Sequence, residues 1–63
     1  MYILGNPPRT SNEAFDSLEN VFGSEEFSAG DAVTVLEEVL DLDSGRARGE
    51  FNRLVRSGAI EEA

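Results

Sequence analysis

The chain has 63 residues, 13 acidic against five basic ones for a net charge of −8, and neither cysteine nor histidine. A chain this short makes one domain and buries only about 60% of the surface its unfolded form exposes, so dimerisation would be a natural supplement to its core. Disulfides, the usual zinc sites and Cys or His nucleophiles are excluded, and no run is apolar enough to span a bilayer.

The first nine residues read as an extended N-terminal arm. Met1 to Leu4 is apolar, and Gly5-Asn6-Pro7-Pro8 cannot be helical. Tyr2, Ile3 and Leu4 suit either an edge strand or an anchor on the core, and the anchor is preferred. Residues 10–63 then form the domain proper, with helices predicted at about 11–22, 29–40 and 44–57. Thr10-Ser11-Asn12-Glu13 has the T-x-x-E form of a capping box. Ala14, Leu18, Val21 and Phe22 follow on one face, Phe15 lies beside them, and Gly23 is the stop.

Phe27 is expected to be a buried plug between helices, with a one-residue bridge of a small sheet as one way of holding it. Ser28 caps the second helix with Asp31 three residues on, and Ala32, Leu36, Val39 and Leu40 line its inner side. Its valines lower the intrinsic helix propensity, so packing must hold it. Asp41-Leu42 is the turn, with Leu42 inward. Asp43 caps the third helix, where Ala47, Phe51, Leu54 and Gly58 share a face and Ser57-Gly58 ends it. Ala59-Ile60 returns an extended segment to the core.

Charge is unevenly spread. Residues 1–45 carry −9 and the last seven −2, whereas Arg46, Arg48, Arg53 and Arg56 against Glu50 give +3. Two explanations of that cluster stand side by side. The arginines pair with neighbouring acids, as Arg46, Glu50 and Arg53 at spacings of four and three would allow, or they form a working face.

The stretch LDLDSGRARGEFNRLVRSGAI, from Leu40 to Ile60, resembles the winged helix-turn-helix of prokaryotic transcriptional regulators. Their rhythm is "LGLS…tar…L.rLv..G.I", and RARGEFNRLVRSGAI follows it. The resemblance covers about residues 14–61, and RLV-x-SG-x-I is its most specific part. It implies a mainly α, three-helix helix-turn-helix fold, winged-helix-like with the wing absent or vestigial, because the chain ends at Ala63 where such a wing would begin. It also implies that the third helix reads DNA in the major groove. By position, Ser44, Gly45, Arg46, Arg48, Gly49 and Asn52 would face the bases, with Arg53 and Arg56 toward phosphates. Arginine suits guanine or phosphate, and asparagine suits adenine. Asp41 stands where the rhythm has glycine. The acid excess without lysine resembles the proteins of salt-loving archaea.

The expected function is therefore a small DNA-binding transcriptional regulator, acting as a homodimer on half-sites. The alternative is a protein-interaction module on the same scaffold that does not bind DNA, since a strongly acidic surface repels phosphates. In concentrated salt that objection weakens, because screening shrinks to about 3 Å at 1 M and only contacting groups act. No catalytic residue, metal, cofactor or membrane partner is expected. The acid pairs come without a nucleophile or a phosphate loop, and the N-terminus lacks a signal-peptide pattern, which points to the cytoplasm.

Overall fold

A small antiparallel sheet closes the two ends of the chain onto three helices. The computed structural model describes residues 1–63, in the order β1 (Tyr2–Leu4), α1 (Glu13–Phe22), α2 (Ala29–Leu40), α3 (Ser44–Ser57) and β2 (Ile60–Glu62). The protein is thus a mainly α domain of three helices with a two-stranded sheet, measuring 25 × 24 × 20 Å.

The starts of α2 and α3 are set by the caps that the sequence announces. The Ser28 hydroxyl accepts from the Asp31 backbone N–H at 3.0 Å, and the Asp43 carboxylate accepts from that of Arg46 at 2.8 Å. Each satisfies one amide that the first turn leaves without a carbonyl. The first helix begins later than the T-x-x-E pattern suggests. Its cap is Asn12, whose side chain accepts from the Phe15 N–H at 2.9 Å, while Thr10 lies outside the helix. Asparagine caps at least as well as threonine. Starting at Glu13 also brings Ala14 and Phe15 into the core, where they are 3% exposed.

Both remaining turns use left-handed backbone. Gly58 has φ 86° and its N–H reaches the carbonyls of Leu54 and Val55. Asp41 has φ 53°, and its own N–H and that of the following Leu42 both bond back to the Glu37 carbonyl, the latter at 3.2 Å, closing the end of α2. This is the position where the regulator rhythm has glycine. Aspartate tolerates left-handed backbone better than most residues, but its charge lies at the negative end of α2. Asp41→Gly is therefore expected to stabilise the domain by about 1 kcal/mol, raising Tm by roughly 4–8 °C in a thermal melt. A lowered Tm would contradict that account of the turn.

β1 is a strand of the two-stranded sheet, so the strand reading of Tyr2 to Leu4 holds beside the preferred anchoring role. It pairs with β2 through Tyr2↔Glu62, Ile3↔Glu61 and Leu4↔Ile60, and on its other side Tyr2 bridges Phe27. The Tyr2 and Phe27 backbones exchange both hydrogen bonds, at 2.7 and 2.9 Å. Phe27 is thus the buried plug and the one-residue bridge that the sequence suggested.

The core gathers under this sheet. Phe15 and Leu18 come from α1, Ala32 and Leu36 from α2, and Ala47, Phe51 and Leu54 from α3, and Phe27, Ala59 and Ile60 complete it. Two expected core positions are not buried. Val21 is 51% and Val39 56% exposed, although each lies on the inward side of its helix by periodicity. On α1 the buried position is instead Ser17, whose hydroxyl donates to the Glu13 carbonyl at 2.8 Å and so carries no unpaired polar group inside.

Candidate functional site

The turn at Asp41 to Asp43 sets α3 across α2 so that Ala47, Phe51 and Leu54 face inward. Everything on the far side of α3 is then open to solvent. All eight positions singled out by the sequence, namely Ser44, Gly45, Arg46, Arg48, Gly49, Asn52, Arg53 and Arg56, are exposed. Their side chains divide along the helix by its 3.6-residue period. Gly45, Gly49 and Arg56 follow the crest, which a Cβ at Gly49 would leave uncrowded, with no neighbour within 4 Å.

The two shoulders differ. On one side a groove of about 510 Å³ runs between α2 and α3, and Ser44, Arg48 and Asn52 line it from α3. On the other, a smaller cleft of about 310 Å³ is lined by Arg46, Gly49, Glu50 and Arg53 over Leu42. The structure therefore brings Arg46 and Arg53 together across Gly49, and Arg48 together with Ser44 and Asn52. Gly45 and Arg56 line neither hollow.

The pairing of arginines with nearby acids does not appear as hydrogen bonding. The five side-chain hydrogen bonds of the domain all join a Ser, Asn or Asp side chain to helix backbone, and none uses a guanidinium. Glu50, midway between Arg46 and Arg53, is half-buried at the rim of the Leu42 cleft. The four guanidinium groups thus make no hydrogen bond within the chain and are open to solvent. Around them, α3 carries +3 and the rest of the molecule −11.

Residues beyond the predicted set also shape the site. The groove beside Arg48 is completed by Tyr2 from β1 and by Val33, Thr34 and Glu37 from α2. In the sequence Thr34 and Glu37 read only as the outward face of a helix, and nothing local indicates that Tyr2 reaches α3. The Tyr2 and Phe51 rings meet edge to face, with centroids 5.2 Å apart.

No group of three or more acidic side chains is arranged to hold a metal ion, and no helix is long and apolar enough to cross a membrane. Significant matches are lacking in all three comparisons, whether with family models, curated proteins or solved structures.

Proposed function

We propose that this chain is a small DNA-binding protein of the helix-turn-helix kind, winged-helix-like, that reads duplex DNA with α3 and serves in transcriptional regulation. One observation carries the reading. Of four exposed arginines with no internal hydrogen bond, three stand on the two shoulders of a helix whose crest holds two glycines and the fourth, Arg56. The major groove is about 12 Å wide and admits a single helix between two phosphate walls. A helix entering it gains from a narrow crest and from cations on both sides, and a guanidinium suits phosphate or guanine equally well.

The decisive experiment is fluorescence anisotropy of a labelled mixed-sequence duplex over a salt series. Each phosphate contact contributes about −0.9 to the slope of log affinity against log salt, so four arginines give at most about −3.6, reached when all four meet phosphates. Carboxylates that approach the DNA take up cations and make the slope shallower. A second reading, favoured by the −11 outside α3, is a protein-interaction module. No anisotropy change at any salt, with the domain folded, would turn the assignment to that reading.

Gly49 offers a second check with opposite signs for stability and binding. It is interior to α3, and a Cβ there meets nothing, so Gly49→Ala should stabilise the domain by about 0.5–1 kcal/mol. If the crest approaches DNA closely, the same methyl group weakens binding. A variant with higher Tm and unchanged DNA affinity would remove the crest from the interface.

A further inference from the structure

The groove beside Arg48 contains chemistry that reading DNA leaves unused. Its floor is apolar and aromatic, made by Phe51, 5% exposed, with Tyr2 and Val33 beside it. Its two walls carry opposite charges, Arg48 from α3 and Glu37 from α2. Neither side chain is engaged in a hydrogen bond within the molecule. A phosphate gains nothing from an apolar floor and is repelled by the carboxylate.

A cation and an anion on facing walls, with an apolar floor between them, suit a small zwitterion with an apolar body. The volume of about 510 Å³ falls within the range of small-molecule sites, roughly 300–1,000 Å³. We propose that the α2–α3 groove binds a free apolar α-amino acid, with its carboxylate on Arg48, its ammonium on Glu37 and its side chain over Phe51 and Val33. The Asn52 amide and the Thr34 hydroxyl supply further polar partners on the two rims. Because Arg48, Ser44 and Asn52 belong to both surfaces, the bound amino acid competes with DNA for them. The competition rests on the DNA-binding reading of α3, whereas the binding itself rests on the groove alone.

The test is an NMR titration of the full chain with L-phenylalanine, phenylacetate and phenethylamine, following backbone amides. L-Phenylalanine is expected to give saturable shifts confined to the groove face of α2, through Glu37, and the Arg48-to-Asn52 stretch. Phenylacetate and phenethylamine, each lacking one charge, should bind about tenfold more weakly or worse, the loss of one charge-assisted hydrogen bond. Glu37→Gln should weaken L-phenylalanine and phenethylamine by about tenfold while sparing phenylacetate, and Arg48→Gln should do the reverse for the two controls. Absence of saturable shifts with all three compounds overturns the proposal. So does equal binding of L-phenylalanine and phenylacetate that Glu37→Gln leaves unchanged, because the groove would then be an anion site only. Saturable L-phenylalanine binding by a chain that never binds DNA would uphold the groove and remove the DNA reading instead.

Discussion

Replacing Arg46 and Arg53 together by glutamine is expected to lower affinity for duplex DNA by about 10- to 100-fold near 0.1 M salt, with no loss of Tm. Each guanidinium that meets a phosphate contributes about 1 to the salt slope, so the pair should flatten it by about 2. Stability should hold because both side chains are exposed and neither donates a hydrogen bond within the domain. The two groups flank one cleft over Leu42 with Gly49 between them, which places them where a single phosphate wall would run. Arg9→Gln is the matched control, since Arg9 is exposed and far from α3 in sequence. A slope that responds equally to Arg9→Gln and to the double variant would mean that DNA senses only net charge. An unchanged slope in the double variant, with binding retained, would move the contacts off this shoulder of α3.

The legibility of this chain follows from where its signals are local. In α3 three of them coincide, namely the Asp43 cap, the Ala47, Phe51 and Leu54 spacing and the Ser57-Gly58 stop, and the helix runs from Ser44 to Ser57 as the sequence indicates. In α1 the T-x-x-E pattern points to Thr10, and the cap is instead Asn12, two residues on. Periodicity named the inward face of α1 and α2 but said nothing about how far the neighbouring element extends. Val21 and Val39 lie on the right side of their helices and still face solvent. The sheet was the least legible part, because β1 and β2 come from opposite ends of the chain and three-residue strands carry little pattern of their own.

The same division applies to the site. Which α3 residues are exposed follows from the complement of the core face, and all eight candidates are exposed. That they split between two hollows of different chemistry does not follow from spacing. It depends on the crossing of α2 over α3 and on the insertion of β1 beside Phe51, which bring Glu37 and Tyr2 to the Arg48 groove. A charge count alone therefore overstates how uniform the arginine face is. One shoulder sets two cations about Glu50, and the other sets a single cation against Glu37 over an apolar floor.

Phe27→Ala should leave the domain largely unfolded at room temperature. Phe27 is 1% exposed, stacks on Phe22 with ring centroids 4.5 Å apart, and holds Tyr2 through two backbone hydrogen bonds. Truncating a buried phenylalanine costs about 3–5 kcal/mol through lost transfer energy and the cavity left behind. A domain of this length has roughly 3–9 kcal/mol in total, at 0.05–0.15 kcal/mol per residue. The loss also propagates, because the ring props the single residue that pairs with β1, and β1 in turn holds β2 and Ile60 over the core. Far-ultraviolet circular dichroism would show the collapse of helical signal at 25 °C. Phe27→Leu keeps most of the volume and should cost only about 1–1.5 kcal/mol, so it should melt cooperatively at a lower Tm. A Phe27→Ala variant that melts within a few degrees of the parent would mean that the helices fold without the sheet, and that β1 only decorates a three-helix core.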